Sequence, residues 1–160
     1  MEISMTEPRV VKQPGRIVAG IQIRTSNELE MRSDDARIPR LWQSFESEKL
    51  NEVIPDKAAG SPVYGVYTEY SNGAEGEYSV LAGVEVTDEA KVPEDYVTAV
   101  LNAGDYLAFE GQGQLDKIVP ETWARVWAYF ESAEAPRRVF ETDYEVYEST
   151  DKVTLYVGIR

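Results

Sequence analysis

The chain has 160 residues, of which 29 are acidic and 16 are basic, so its formal net charge is −13. This balance argues against a nucleic-acid surface, which would need a basic patch. Histidine and cysteine are both absent, which excludes disulfides and the Ser-His-Asp and Cys-His nucleophile systems and removes the commonest metal ligand.

Composition also predicts the class of protein. An apolar fraction of 42% and an aromatic fraction of 11% are typical of a folded globule, and the length favours a single domain. The first nine residues contain no apolar stretch for a signal peptide, and no later run approaches the ~18 apolar residues of a membrane span. We therefore expect a cytoplasmic protein without a membrane partner.

The first half of the chain predicts a strand, a helix and a hairpin. Residues 1–8 are polar and are expected to be flexible. Alternating β-branched residues predict the strand. Ser33, Asp34 and Asp35 supply N-cap chemistry before a helix whose first turn holds Pro39. The predicted bounds are 10–25 for the strand, about 38–50 for the helix, and 62–71 and 78–87 for a hairpin that turns through 72–77.

The second half repeats this order after a polar linker at residues 88–93. A strand is predicted at residues 96–110, with a break at 102–105. Pro120 suits the first position of a helix that runs to about residue 134. A second hairpin is predicted from strands at 138–148 and 152–160.

A repeat relates the two halves. Four apolar positions of the first predicted helix match four of the second at an offset of 85 residues, with the spacing of one helix face. Two tyrosines beyond each helix match at an offset of 77. The matched pairs are Ile38 with Trp123, Leu41 with Val126, Trp42 with Trp127, Phe45 with Phe130, Tyr67 with Tyr144, and Tyr70 with Tyr147. This predicts an α+β fold of duplicated β-α-β-β modules, about 9–87 and 94–160, with a ligand cleft at their seam.

The residues at 19–21, 24–30, 38–45, 143–147 and 153–159 resemble those of the gyrase-inhibitor-like (GyrI-like) effector-binding family, in particular its stand-alone integron-cassette members. The likeness spans roughly residues 9–160. It implies one effector-binding domain built from two β-α-β-β modules with pseudo-two-fold symmetry. It also implies that amphipathic, often cationic, aromatic drugs bind between the modules. Relatives often form sensor domains fused to a helix-turn-helix activator. No such segment precedes this domain, so we expect no direct nucleic-acid binding and allow for a separate regulator protein.

The resemblance implies that Glu145 meets the ligand cation and that Tyr156 contributes to the site. A glutamate in an aromatic cleft is costly to ionise, so its pKa should rise in the free protein and fall when a cation arrives. Tyr147 lies two residues further along the strand and shares the face of Glu145. Spacing alone would instead favour a solvated carboxylate at this position. The expected ligand-binding set is Glu145, Tyr156, Tyr147, Trp127, Trp42 and Tyr64, with no catalytic residue, metal ion or cofactor.

Other interpretations remain open at this stage. Spacing alone favours Trp42 and Trp127 as core residues that pack a helix on the sheet, although in a duplicated fold one ring face could also line the cleft. The tyrosines Tyr64, Tyr67, Tyr106 and Tyr156 could each be half-buried strand residues. A hydrolase acting on a reactive small molecule is the alternative function, with Glu145 orienting water and a tyrosine hydroxyl as acid. Sequestration of a basic protein is a third. An exposed edge strand leaves the oligomeric state undecided.

Overall fold

The computed structural model describes residues 8–32, 34–73 and 75–160. The expected flexibility of residues 1–7 and the expected N-cap at Ser33 lie outside the described residues. The protein has an α+β fold in which all eight named strands join one antiparallel sheet. No helix within the described ranges is long and apolar enough to cross a membrane.

The elements follow one another in the predicted order. The strands are β1 (Arg9–Gln13), β2 (Arg16–Ser26), β3 (Val63–Thr68), β4 (Glu77–Glu85), β5 (Val97–Leu101), β6 (Gly104–Gln112), β7 (Arg138–Ser149) and β8 (Lys152–Ile159). The helices are α1 (Asn27–Glu30), α2 (Ile38–Ser47), α3 (Leu50–Val53) and α4 (Leu115–Phe130), and a single 3-10 turn covers Glu89–Lys91.

The strand order in the sheet is β1-β6-β8-β7-β3-β4-β2-β5. Its two central strands, β7 and β3, come from different halves of the chain. Their antiparallel pairing runs from Val63 opposite Tyr147 to Thr68 opposite Thr142, and it places Gly65 directly opposite Glu145. The middle of the sheet is therefore also the place where the two halves meet.

Helices cover one face of the sheet. The apolar side of α2 buries Leu41 and Phe45 in a cluster with β2 and β4. The apolar side of α4 buries Trp123 and Val126 in a second cluster with β6 and β8. Tyr67 of β3 contacts both clusters, so the two helices lie side by side on this face and the central strands lie beneath the gap between them.

The opposite face of the sheet has a third cluster without any helical member. It consists of seven side chains, each no more than 4% exposed: Val18, Tyr64, Val66, Leu81, Leu101, Tyr106 and Tyr144. Since no helix of the described residues joins this cluster, the sheet itself must curl over these side chains to exclude water. Where both faces of a strand are buried, the sequence loses its alternation of apolar and polar residues, as in the nearly continuous apolar run of β4.

Several predicted bounds were wrong for local reasons. The first predicted strand is divided between β1 and β2 at Pro14 and Gly15, where proline has no N–H for a strand partner. Helix α4 begins five residues before Pro120, since Leu115 already packs against the second cluster. It ends at Phe130 instead of near residue 134. The expected break at residues 102–105 is confirmed between β5 and β6.

The residues expected to cap the N-terminus of α2 do not do so. Asp34 and Asp35 do not cap the helix, whose N-cap residue is Arg37 and has no side-chain cap bond. Instead Glu30 accepts hydrogen bonds from the backbone N–H groups of Arg37 (2.9 Å) and Ile38 (3.2 Å). A carboxylate near the N-terminus is favourable because the first N–H groups of a helix lack partners. Lys49, in the left-handed region, separates α2 from α3.

Candidate functional site

A cleft with a volume of about 1210 Å³ is lined by α2 and α4 and by the central strands β3 and β7. Pockets for drug-sized molecules typically measure about 300–1,000 Å³, so this cleft can hold an aromatic molecule of several rings. Its lining comes from both halves of the chain. All three tryptophans, Trp42, Trp123 and Trp127, are among the lining residues.

Glu145 lies in the wall of the cleft and is only 1% exposed. Its Oε2 accepts hydrogen bonds from the hydroxyl of Tyr67 (2.9 Å) and from the indole Nε1 of Trp123 (2.7 Å). Its Oε1 accepts a hydrogen bond from the hydroxyl of Tyr147 (2.7 Å). Three uncharged donors from β3, α4 and β7 therefore hold one carboxylate in place.

Alternation along the strands explains why these groups converge. Glu145 and Tyr147 are two residues apart on β7, so both point to the helix-covered face. Tyr67 does the same from β3. Trp123 points toward the sheet from the third turn of α4, where it is 9% exposed. The predicted shared face of Glu145 and Tyr147 is thus present in the structure.

The electrostatics of Glu145 follow from its burial. Burial raises the pKa of this carboxyl, and the hydrogen bonds from Trp123, Tyr147 and Tyr67 partly offset that rise. Burial, followed by the nearby negative charge of Glu145, raises the pKa of Tyr67 and of Tyr147 well above its usual value. The hydroxyls therefore keep their protons and act as donors.

A second buried carboxylate differs from Glu145 because it has a positively charged partner within the fold. Asp143, which is 0% exposed, forms an ion pair with Arg138 (2.7 Å) and also accepts hydrogen bonds from Tyr70 and from the backbone N–H of Gly158. Among the described residues, no lysine or arginine forms such a pair with Glu145. One buried charge is neutralised within the fold, and the other faces a cleft with neutral partners.

Aromatic rings surround the carboxylate. Trp42 contacts Tyr147 edge to face with 5.1 Å between ring centroids, and Tyr67 lies 5.0 Å from Trp123. Trp127 is 41% exposed and lies at the edge of the cleft. Such rings offer both apolar area and a negative face to a ligand cation.

Four of the six residues expected to bind a ligand line this cleft: Glu145, Tyr147, Trp42 and Trp127. Tyr64 and Tyr156 do not, and the expectation that they form its walls is corrected. Successive side chains on a strand point to opposite faces, and each of these tyrosines is adjacent in sequence to residues that face the helices. Both rings therefore point to the opposite face of the sheet, where Tyr156 stacks on Tyr144 with 5.1 Å between ring centroids. Together they line a smaller pocket of about 320 Å³ beside Arg16.

Two donors to Glu145 were missing from the expected set. Tyr67 had been matched with Tyr144, but these rings lie on opposite faces of the sheet. An offset of 80 residues matches Tyr67 with Tyr147 and Tyr64 with Tyr144, and each of these pairs shares a face. Both offsets match tyrosines that are three residues apart, so the spacing alone could not select between them. Trp123 had been matched with Ile38, an apolar position that gives no sign of a hydrogen-bond donor.

Comparisons with known proteins identify relatives of this fold. A search of curated protein sequences found no match. The structure resembles the integron cassette protein VCH_CASS2 from Vibrio cholerae, with 28% identity, a TM-score of 0.84, and coverage of 98% of this chain and 97% of that one. It also resembles SAV2435 bound to tetraphenylphosphonium (18% identity, TM-score 0.79, coverage 97% and 94%). A hydrolase from Listeria innocua shares the fold more distantly (12% identity, TM-score 0.51, coverage 98% and 93%).

The family assignment rests on a match along nearly the whole described chain. The model for Cass2, the integron-associated effector binding protein family, matches residues 9–159. The resemblance inferred from the residues alone is thereby confirmed. The chain belongs to the integron-associated effector-binding protein family.

Proposed function

We propose that the protein binds an amphipathic aromatic cation in the cleft, with Glu145 as the counter-charge. The observation that carries this proposal is the state of Glu145 in the free protein. It is 1% exposed, it is held by three neutral donors, and it forms no ion pair with a described lysine or arginine. A cation in the cleft would supply the missing positive charge and would relieve the cost of keeping this carboxylate ionised.

The rings beside the carboxylate would add to the binding. Trp42 and Tyr147 pack against each other next to Glu145, so a flat cation can contact a ring while its charge faces the carboxylate. A cation–π contact contributes about 0.5–2 kcal/mol, with the larger values where water is excluded. Because the cleft is wide, we propose that it accepts ligands of different shapes and not one fixed substrate.

The rim of the cleft supports the same charge preference. It carries more acidic than basic side chains: Glu30, Glu46, Glu52 and Asp116 against Lys49, with Arg138 engaged by Asp143. An excess of one sign around a cleft attracts ligands of the opposite sign at low ionic strength. The bound tetraphenylphosphonium of SAV2435 shows that a protein of this fold can hold an aromatic cation.

The register of the strands supports the proposed duplication of one module. The strand order around the centre mirrors itself, since β7-β8-β6-β1 on one side corresponds to β3-β4-β2-β5 on the other. With an offset of 80 residues, Gly65 corresponds to Glu145, and these two residues are also direct partners across β3 and β7. The proposed pseudo-two-fold axis would then pass between them, so that the site occupies the seam between the modules.

The experiment compares two ions of nearly the same shape and opposite charge. Tetraphenylphosphonium and tetraphenylborate are titrated into the protein while tryptophan fluorescence is followed, with calorimetry as a second readout. Since Trp42, Trp123 and Trp127 all line the cleft, the fluorescence should report its occupancy. We expect saturable binding of the cation and at least tenfold weaker binding of the anion. Equal affinity for the two ions, or no binding of the cation, would overturn the proposal.

The hydrolytic alternative requires a carboxylate that is free to orient water. Here Glu145 already accepts hydrogen bonds from Tyr67, Tyr147 and Trp123. The raised pKa of each tyrosine makes its hydroxyl a weak proton donor to a leaving group. Incubation with an electrophilic aromatic epoxide, followed by mass spectrometry, distinguishes the two functions. Turnover that Glu145→Gln abolishes in a folded protein would favour the hydrolase.

A further inference from the structure

Gly65 lies beneath the carboxylate of the site. It occupies the middle of β3, directly opposite Glu145 on β7. A Cβ atom built at this position would lie 2.5 Å from Oε1 of Glu145, 3.4 Å from its Cδ and 3.1 Å from Cζ2 of Trp42. The counter-charge and the nearest ring of the cleft therefore both occupy the space that a side chain at position 65 would fill.

The backbone at this position does not itself demand glycine. Among the described glycines, those in the left-handed region are Gly60, Gly73, Gly104 and Gly113, and Gly65 is not one of them. An alanine could therefore adopt the same φ without the strain that applies at those positions. What excludes a side chain is space, and glycine inside a strand is a common mark of such close approach.

The neighbours of Gly65 set it apart from the other tightly packed strand glycines. At Gly20 and Gly83 a Cβ would meet backbone atoms of the paired strand, at 1.9 Å and 2.1 Å, and at Gly111 it would meet the hydroxyl of the buried Thr122 at 2.3 Å. Those three positions serve the packing of the sheet and of the core beneath α4, outside the cleft. At Gly65 the nearest atoms belong instead to the side chains of Glu145 and Trp42, which line the cleft.

We propose that Gly65 is the positioning residue that sets the cation preference of the cleft, an inference that rests on the proposed function. Because Gly65 has no side chain, the carboxylate of Glu145 can lie at the centre of the site with the Trp42 ring next to it. A methyl group at position 65 displaces Oε1 from the hydroxyl of Tyr147 and moves the ring away. A single ligand can then no longer contact both the Glu145 carboxylate and the Trp42 ring. Selectivity for a cation therefore falls, while the cleft remains open.

The test compares Gly65→Ala with the matched control Gly15→Ala. A Cβ at Gly15 has no neighbour closer than 3.6 Å, and Gly15 also lacks a positive φ. The first readout is the ratio of affinities for tetraphenylphosphonium and tetraphenylborate, which we expect to fall at least tenfold in Gly65→Ala and to stay within twofold in Gly15→Ala. The second readout is the indole N–H resonance of Trp123, whose hydrogen bond to Glu145 should change only in Gly65→Ala.

Two further variants separate positioning from general destabilisation. In Gly65→Ala with Glu145→Asp, the shorter carboxylate withdraws from the added methyl group, so we expect part of the ion selectivity to return. In a Glu145→Ala background, Gly65→Ala should lower the midpoint of thermal unfolding much less than in the wild type, because the principal clash is gone. This cycle keeps the proposal testable if Gly65→Ala alone folds poorly.

The outcomes are distinguishable from those of the proposed function. If the wild type binds neither ion, the proposed function fails, while the Trp123 resonance and the unfolding cycle still decide whether Gly65 positions Glu145. An unchanged ion ratio and an unchanged Trp123 resonance in Gly65→Ala would overturn the inference. So would an equal loss of stability in the two Glu145 backgrounds.

Discussion

Replacing Glu145 by glutamine removes the proposed counter-charge while almost preserving the volume of the side chain. Two unit charges 4 Å apart attract by about 4 kcal/mol at an effective dielectric constant of 20. Part of this attraction is offset because the ligand cation must leave water. We therefore expect Glu145→Gln to weaken tetraphenylphosphonium binding by about 1.4–2.8 kcal/mol, which corresponds to a ten- to hundredfold loss of affinity.

The surrounding hydrogen bonds should survive this substitution. The amide oxygen of glutamine can accept from both Tyr67 and Trp123, which donate to the same oxygen of Glu145. The amide nitrogen would then meet the hydroxyl of Tyr147, which can accept as well as donate. Near-ultraviolet circular dichroism checks that the aromatic packing is retained, so a loss of affinity can be attributed to charge.

The assay is isothermal calorimetry at physiological salt with tetraphenylphosphonium and with the neutral triphenylphosphine oxide. Glu145→Gln should leave the neutral ligand within about twofold of its wild-type affinity, which is less than about 0.5 kcal/mol. The control variant is Glu46→Gln, which removes an exposed carboxylate from the rim of the same cleft. Because salt screens exposed charges, Glu46→Gln should change the affinity for the cation little. Equal losses for the cation and the neutral ligand would refute the charge-pairing argument.

Three further predictions follow from the same geometry. Burial raises the pKa of Glu145, so cation affinity measured by calorimetry should increase as the pH rises through that pKa, and Glu145→Gln should abolish the increase. Tyr156→Ala alters the opposite face of the sheet and should leave tetraphenylphosphonium affinity within about twofold, as fluorescence titration will show. Arg138→Met should lower the free energy of unfolding by about 3–5 kcal/mol in urea denaturation, because it leaves the buried charge of Asp143 without its ionic partner.

A specific result would contradict each of these three predictions. An affinity that is independent of pH, or that falls as the pH rises, would mean that Glu145 does not exchange a proton for the ligand. The stability of the free protein gives an independent check. A carboxyl whose pKa is raised by folding destabilises the folded state as the pH rises above the unfolded value of about 4.5, so Glu145→Gln should gain relative stability there. A tenfold loss in Tyr156→Ala would place the ligand on the other face, and a loss below about 1 kcal/mol in Arg138→Met would show that the ion pair contributes little.

Local patterns in the sequence predicted the relative placement of several cleft residues, while the family resemblance assigned them to a site. Period-two alternation put Glu145 and Tyr147 on one face of a strand, and helical spacing put Trp42 and Trp127 on corresponding positions of two helices. All four line the cleft. These features depend on residues close together in the chain, so the residue types and their spacing determine them. The family resemblance likewise followed from ordered local segments.

Only the tertiary structure decided which strand face receives the helices and which residues stand opposite each other across β3 and β7. Both faces of β3 and of β8 are largely buried, so the sequence could not show that Tyr64 and Tyr156 turn away from the cleft. The pairing of Gly65 with Glu145 joins residues 80 positions apart, and the donation by Trp123 depends on how α4 packs. Such contacts are set by strand register and helix docking, where a shift of one residue exchanges the two faces, so no local pattern can specify them.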